Sequence, residues 1–379
     1  MTDTTHPLAS YPRINPAFAV VVESDDAVTF TAGPWSGPVF DVEDEDGEGV
    51  LADFVAALDG TRHVDDVLDA FDPAVRDDLR DVLRALQSKS IVRDAGRAVS
   101  GDRARVGGYL ALDGDDARDR EQELAEATVA VLAGGRAGRA FTRALLDSGV
   151  GAVEYVPLDH AGGSSETTGD AELADAPAVD APLDSERVTQ RDDPDLRALL
   201  EDATFAAMAV DRPRPAVAST LNEAAHDAGT PWTLGVVNGV DAQVGPTVYP
   251  GETACYECFR ERADAATGAA YTRYEAAAAN RSHAEGRSHA EGRSNVGVPA
   301  FATVVAGLLA ADVVEQVTGG FGVTTGSVVD VAFDDFAVAA DDVLRIPHCE
   351  TCGRDADRLD APRHVTVDHL ARSATEGDR

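Results

Sequence analysis

The first 95 residues change from a strand-like to a helix-like pattern of hydrophobic positions. Residues 17–22 and 27–31 are short β-branched or aromatic runs separated by a polar turn, which predicts a β-hairpin, and residues 38–42 predict a third strand. Hydrophobic residues then recur at helical spacing through three segments, and residues 91–92 predict a short closing strand. Three strands, three helices and a wing-like strand are typical of a winged-helix domain, which we place at residues 11–95.

Buried strands and helices alternate through most of the remaining chain. A continuous hydrophobic run begins at Val129, and a glycine-rich turn, a helical segment and a second run at residues 152–157 follow it. Parallel strands joined by helices produce this βαβ pattern. Further strands are predicted at 204–210 and 232–237, further helices at 219–228 and 301–317, and a terminal hairpin between 323 and 343. We therefore predict a Rossmann-like α/β domain at residues 126–354.

Four segments lack a regular hydrophobic pattern. Residues 96–125 are rich in Gly, Arg and Asp, and predict a linker between the two domains. Residues 160–193 are acidic and rich in Gly, Ser and Thr, and residues 281–294 hold a tandem duplication, so both predict flexible loops. Residues 355–379 predict a polar, disordered tail.

Acidic residues exceed basic residues along the whole chain. Asp and Glu number 68 against 32 Lys and Arg, which gives a formal charge of −36, and Lys89 is the single lysine. An acid excess that is spread over the whole chain is typical of adaptation to a high-salt cytoplasm. No basic stripe is available to neutralise phosphates, so nucleic acid is not an expected partner. We also find no signal peptide, and the apolar run at 298–314 is too short and interrupted to span a membrane, which favours a cytoplasmic protein.

Two Cys-x-x-Cys pairs contain all the cysteines of the chain. Cys255 and Cys258 form the first pair, and Cys349 and Cys352 form the second. Two such pairs complete a tetrahedral zinc site with no open position, and a reducing cytosol favours thiolate ligands. The alternatives are two disulfides or four reduced cysteines in the core. The pattern predicts a structural zinc ion and leaves no cysteine for catalysis.

The glycine-rich turn after residue 132 lies where α/β proteins bind a nucleotide phosphate. Ala133 occupies the first glycine position of the dinucleotide fingerprint, so only two of its three glycines are present. A lysine at the phosphates is excluded because Lys89 lies in the other domain. The sequence favours a vestigial nucleotide site, with a working site as the alternative. Its candidate residues are Gly135, Gly138, Arg139 and Asp159.

The run around the first cysteine pair resembles that of ThiF/MoeB-like proteins, which have the ubiquitin-activating-enzyme fold. Members carry the pattern G-P-x-x-x-P-G…C-x-x-C-x-x-x-R, which is matched here by Gly245, Pro246, Pro250, Gly251, Cys255, Cys258 and Arg262. The second pair follows a hydrophobic-Pro step at residues 344–347. The N-terminal sequence DGTRHVDDVLDAF…LRALQSKSIV is similar to PqqD-like peptide-recognition domains. Together these motifs resemble the subgroup that partners YcaO cyclodehydratases.

The resemblance implies a function in making thiazole/oxazole-modified peptides. Proteins of this subgroup bind the leader of a precursor peptide and present the precursor to the YcaO enzyme, which uses ATP. Leader binding is expected by β-augmentation, in which an extended peptide adds to a sheet edge beside a helix. The resemblance also implies a possible homodimer. The candidate peptide-binding residues are Val39, Phe40, Leu79, Leu83 and Leu86, each of which has core packing as its alternative.

The chain departs from adenylating members of the resembled family. Those relatives carry an N-L-x-R-Q stretch after the second strand and tend to carry a transfer cysteine, and this sequence has neither. We therefore expect a non-catalytic scaffold subunit that binds no ATP itself. The alternative is an ATP-dependent adenylating enzyme that acts on a sulfur-carrier protein or a peptide C-terminus.

Overall fold

A computed structural model gives the fold of most of the chain. It describes residues 7–34, 37–44, 47, 49–95, 102–110, 117–158, 185–192, 194–279, 297–319 and 322–353. Asp159, the predicted loop at 281–294 and the predicted tail at 355–379 lie outside the described residues.

The N-terminal segment forms a small antiparallel sheet with three helices. Its elements are β1 (Pro12–Ile14), β2 (Ala19–Ser24), β3 (Ala27–Thr31), β4 (Val39–Glu43), α1 (Leu51–Ala56), α2 (Val64–Asp69), α3 (Arg76–Ser88) and β5 (Val92–Asp94). The sheet has the order β2-β3-β4, and β1 pairs separately with β5. Phe30, Phe54 and Leu83 are fully buried in a core that the sheet and the helices share. The predicted hairpin, third strand and three helices are confirmed, and an independent winged-helix domain stays a prediction.

The segment predicted as a linker contains two helices, which corrects that prediction. They are α4 (Asp102–Leu110) and α5 (Ala117–Glu126). Leu110 and Leu124 are buried in the core of the large sheet. The buried guanidinium of Arg120 donates hydrogen bonds to the Leu110 and Thr318 carbonyl oxygens and to the Glu315 carboxylate. Because these helices depend on tertiary contacts, their few apolar positions did not reveal them.

The rest of the described chain forms an eight-stranded sheet covered by helices. In chain order its elements are β6 (Thr128–Gly134), α6 (Gly135–Ser148), β7 (Ala152–Pro157), β8 (Val188–Gln190), α7 (Leu196–Glu201), β9 (Phe205–Val210), α8 (Pro215–Ala228), β10 (Trp232–Asn238), β11 (Asp241–Val244), α9 (Tyr256–Thr267), α10 (Ala270–Ala279), α11 (Pro299–Val317), β12 (Ser327–Ala332) and β13 (Ala337–Asp342). The strand order is β13-β12-β11-β10-β9-β6-β7-β8.

Strand direction divides the large sheet into two parts. Strands β10, β9, β6, β7 and β8 are parallel, and β11, β12 and β13 are antiparallel. The parallel part leads outward in both directions from β6, as in doubly wound folds. This confirms the predicted α/β class with a Rossmann-like sheet. β8 lies inside the predicted loop at 160–193, so that part of the loop prediction is corrected.

Both faces of the sheet are buried, so its central strands β6, β9 and β10 consist mostly of hydrophobic residues rather than alternating with polar ones. Val129 and Val131 pack beneath α6 and α11, whereas Ala130 and Leu132 face the side covered by α7, α8 and α9. Among the described helices, α11 alone has the length and apolar composition that crossing a membrane requires. Half of it is buried inside the protein, where it packs on α6 and β10, as a core helix does.

The N-terminal segment docks onto the large sheet through the Asn15 side chain. Its amide nitrogen donates hydrogen bonds to the carbonyl oxygens of Ser90 and Gly108, at 3.0 and 3.2 Å. Gly108 lies in α4, and a Cβ there would come 3.0 Å from the Asn15 side-chain oxygen and 3.1 Å from Pro16. The contact therefore requires glycine, although glycine lowers the stability of a helix interior.

Gly108→Val is expected to weaken this docking contact. The added side chain must displace Asn15 and Pro16. Overpacking of this kind typically lowers the free energy of unfolding by about 1–3 kcal/mol. Chemical denaturation measures this loss. Gly307→Val is the matched control, because Gly307 also lies in a helix and a Cβ there meets nothing within 4 Å. Equal effects of the two substitutions would contradict the packing explanation.

Candidate functional site

The structure brings the four cysteines together in one buried cluster. Cys255 precedes the first residue of α9 and Cys258 lies in its first turn, whereas Cys349 and Cys352 lie in the turns after β13. The four sulfur atoms lie within 4.8 Å of one another. The Sγ–Sγ distances are 3.9 Å for Cys255–Cys258, 3.5 Å for Cys255–Cys349 and 3.4 Å for Cys258–Cys352.

These distances fit a tetrahedral zinc site. Four sulfur atoms at about 2.3 Å from zinc are about 3.8 Å apart. All four thiols are free, and sulfur atoms more than 3 Å apart form no disulfide, so the disulfide alternative is excluded here. Hydrogen bonds with Cys255 and then Cys352 lower the pKa of Cys258 to about 4, while the pKa of Cys352 is raised by bonds with Cys255 and Cys258. The lowered pKa favours the thiolate of Cys258, the form that zinc binds, whereas the raised pKa favours the thiol of Cys352.

Two arginines join the arms that carry the cysteine pairs. The Arg262 guanidinium donates to the carbonyl oxygens of Leu344 and Arg345, at 2.6 and 3.2 Å. In return, Arg345 Nε donates to the carbonyl oxygen of Thr253 at 2.9 Å. This exchange explains why an arginine follows the first cysteine pair, because α9 places Arg262 beside the second arm.

A buried carboxylate holds the segment before the first cysteine pair. Asp312 of α11 accepts hydrogen bonds from the Thr324 N–H and hydroxyl, at 3.1 and 2.6 Å, and from the Thr247 hydroxyl at 3.4 Å. Gln316 of the same helix accepts a bond from the Tyr249 hydroxyl at 2.8 Å. The G-P-x-x-x-P-G segment is therefore tied to α11, which gives that part of the motif a structural role.

The glycine-rich turn is closed by a carboxylate from the adjacent strand. Asp211 directly follows β9, and its carboxylate accepts hydrogen bonds from the Arg136 and Ala137 N–H groups, at 2.7 and 2.6 Å. These N–H groups belong to the first turn of α6, where a phosphate binds in nucleotide-binding relatives of this fold. Gly135 has φ +68°, and a Cβ there would lie 2.2 Å from the Asp211 carboxylate. The carboxylate thus stands where a phosphate oxygen would accept the same bonds.

The other predicted nucleotide residues are only partly tested by the structure. Gly138 allows α6 to approach β6, because a Cβ there would lie 2.6 Å from the Ala133 Cβ. Arg139 is half-buried on α6, and Asp159 lies outside the described residues. Asp211 was not among the candidate residues named from the sequence. Its role depends on the pairing of β6 with β9, which places Gly134 opposite Val210.

The predicted peptide groove is only partly open. Val39 is 56% exposed on β4 and Phe40 is half-buried. Leu79, Leu83 and Leu86 are at most 4% exposed and pack in the core of the N-terminal segment. The three leucines form the inner face of α3 and pack in the core, as their alternative interpretation expected.

Comparison with known proteins identifies the class of the large domain. Residues 175–335 match the ThiF family, so the chain contains a ThiF-family domain. The match begins after β6, α6 and β7, so it leaves out the glycine-rich turn. A search of the curated proteins found no match.

Solved structures with this fold include heterocyclases and MccB of E. coli. The heterocyclase TruD has a TM-score of 0.63 at 15% identity, over 98% of this chain and 47% of its own. A heterocyclase in complex with substrate and cofactor gives 0.62 at 15% identity, over 95% and 42%. MccB with ATP gives 0.56 at 16% identity, over 90% and 99%. The chain thus spans less than half of the two heterocyclases, and at these identities the likeness concerns the fold.

Cys352→Ser is expected to abolish zinc binding and to destabilise the fold. Metal binding is coupled to folding at structural thiolate sites, so the melting temperature falls when one ligand is lost. Elemental analysis should find one zinc per wild-type chain and none in the variant. His348→Ala is the matched control, since this exposed neighbour lies outside the cluster. Wild-type protein purified without zinc but with an unchanged melting temperature would contradict a structural metal.

Proposed function

We propose that this chain is the leader-binding scaffold subunit of a YcaO-dependent cyclodehydratase in the cytoplasm of a halophile. In this function the N-terminal segment is a PqqD-like winged-helix domain that binds the precursor peptide. The ThiF-family domain contacts the YcaO enzyme, which carries out the ATP-dependent cyclisation. The fold likeness to two heterocyclases supports this assignment, since it extends over nearly the whole chain.

The observation that carries the proposal is the open edge of β4. β4 pairs with β3 alone among the described residues. Ala32 N–H donates a hydrogen bond to the Pro38 carbonyl oxygen. Hydrogen-bonded pairs alternate along an antiparallel ladder, so the backbone groups of Phe40 and Val42 also bond to β3. Val39 and Asp41 then direct their N–H groups outward, where an extended peptide can pair.

The inner face beside this edge is apolar and incompletely covered. Phe40 and Val42 of β4 and Val82 of α3 are half-buried and pack against the same core. Phe40 also lies 6.1 Å from the ring of Phe18. Side chains of an added strand would cover these groups. Affinity that comes from main-chain hydrogen bonds and apolar contacts also persists at molar salt, where exposed charge pairs are screened.

Closure of the glycine-rich turn by Asp211 supports a scaffold without its own adenylation. A nucleotide phosphate at the α6 N-terminus has to displace a carboxylate that already accepts two N–H bonds. The alternative, an ATP-dependent adenylating enzyme, is favoured by the likeness to MccB with ATP, whose chain is covered almost completely. The homodimer implied by the family resemblance stays a prediction.

Asp41→Pro is expected to weaken binding of the precursor leader. Proline removes one outward N–H while the bonds of Phe40 and Val42 to β3 remain, and edge strands tolerate proline. The loss of one hydrogen bond, about 0.5–1.5 kcal/mol, corresponds to a Kd that is higher by up to about tenfold. Fluorescence polarisation with a labelled leader from the same genome, in molar KCl, measures this change.

Two controls locate the bound peptide. Asp41→Ala loses the same side chain, with its bond to Thr29, but keeps the N–H, so it should bind normally. Val20→Pro changes the opposite sheet edge on β2 in the same way. Weaker binding in Val20→Pro with normal binding in Asp41→Pro would contradict the β4 assignment.

ATP turnover separates the scaffold from the adenylating enzyme. The chain alone is expected to release neither phosphate nor pyrophosphate from ATP in molar KCl. It should stimulate turnover by a YcaO enzyme of the same genome when the precursor is present, and Asp41→Pro should reduce that stimulation. Turnover by the chain alone would overturn the scaffold assignment and favour adenylation.

A further inference from the structure

A cavity of about 240 Å³ lies beside the four-cysteine cluster, on the sheet face that α8, α9 and α10 cover. Met208 of β9 and Leu234 and Val236 of β10 form an apolar part of its lining. The cavity extends across the sheet to β11 and β12. Pockets for drug-sized ligands are typically about 300–1,000 Å³, so this one suits a smaller group, such as a single amino-acid residue.

One end of the cavity carries two carboxylates. Asp241 of β11 and Asp330 of β12 line it there. Gln243 donates to the Asp330 carboxylate at 2.8 Å and accepts a hydrogen bond from the Tyr271 hydroxyl at 3.0 Å. Burial, with the nearby Asp330, raises the pKa of Tyr271 to about 12, so its hydroxyl keeps the proton that it donates. The Asp330 carboxylate is thus held in position and retains acceptor capacity beyond its bond with Gln243.

Aromatic side chains form a further wall. Tyr256 and Tyr271 both line the cavity, and Phe259 lies between them with ring centroids 5.9 Å from each. Aromatic rings next to carboxylates favour a cation on an aliphatic stem. Cys255 and Cys258 flank Tyr256, so the cysteine cluster positions this wall.

The other end of the cavity carries a cation. Arg214 follows β9, close to the Leu158 carbonyl oxygen, whereas Asp330 lies on β12. Three strand spacings, about 14 Å, separate the backbones of these two strands. A ligand that meets both ends therefore carries a cation at one end and a hydrogen-bond acceptor at the other.

We propose that this cavity binds a basic residue, arginine or lysine, of a peptide chain. The aliphatic stem lies on Leu234 and Val236, the cation meets Asp330 and Asp241, and a main-chain carbonyl oxygen faces Arg214. The inference rests on the proposed function only in taking a peptide as the carrier of that residue. The cavity gives the ThiF-family domain a peptide contact that is separate from the β4 edge.

The test compares two blocked amino acids on the zinc-loaded full chain in molar KCl. N-acetyl-arginine methylamide carries the cation, and N-acetyl-norleucine methylamide has an uncharged stem. Saturation-transfer NMR titrations should give at least about tenfold tighter binding of the arginine probe. Asp330→Asn should remove this preference, because it removes the negative charge that the cation would meet. The substitution keeps the size of the side chain and an oxygen that can accept the bond from Gln243. Asp341→Asn is the matched control on exposed β13 and should keep the preference.

Three outcomes would overturn the assignment. They are equal binding of the two probes, no binding of either, and an equal loss in Asp341→Asn and Asp330→Asn, which would reflect net charge alone. If Asp330→Asn fails to fold, Tyr271→Phe replaces it, because it removes only the hydroxyl that holds Gln243, and the preference should fall. Leader, ATP and YcaO enzyme are absent, so failure here leaves the β4 assignment standing.

Discussion

The four-cysteine cluster is the constraint on which much of the large domain depends. It joins sulfur atoms 94 residues apart in sequence and so fixes α9 against the arm that follows β13. The arginine bonds of Arg262 and Arg345 hold the same two arms, but at an exposed surface. A metal at the buried thiolates would fix the two arms more firmly, because metal binding at such sites is coupled to folding. The Tyr256 wall of the cavity is positioned as a consequence.

A carboxylate lies at the first turn of α6, the position where nucleotide-binding α/β proteins hold a phosphate. Asp211 stabilises the first turn of α6 as a negatively charged helix cap. On the face covered by α8, α9 and α10, the same sheet lines the cavity at β10.

The N-terminal segment is part of a continuous structure with the ThiF-family domain. Asn15 bonds to α4, and Arg93 forms a 3.0 Å ion pair with Glu121 of α5. Helices α4 and α5 are in turn packed into the core of the large sheet through Leu110 and Leu124. A peptide bound at β4, as we propose, would therefore be held in a defined position relative to the large sheet.

The sequence by itself determined the elements with strong local patterns. The period of hydrophobic positions predicted the N-terminal strands, the central strands from Val129 onward and the terminal hairpin, and cysteine spacing predicted the four residues that meet in the buried cluster. Tertiary structure alone decided what depends on neighbours distant in sequence. Tertiary contacts account for the two helices in the predicted linker and for the burial of the α3 leucines. They also account for the position of Asp211 at the glycine-rich turn. Strand order sets which loops meet, and no local pattern encodes it.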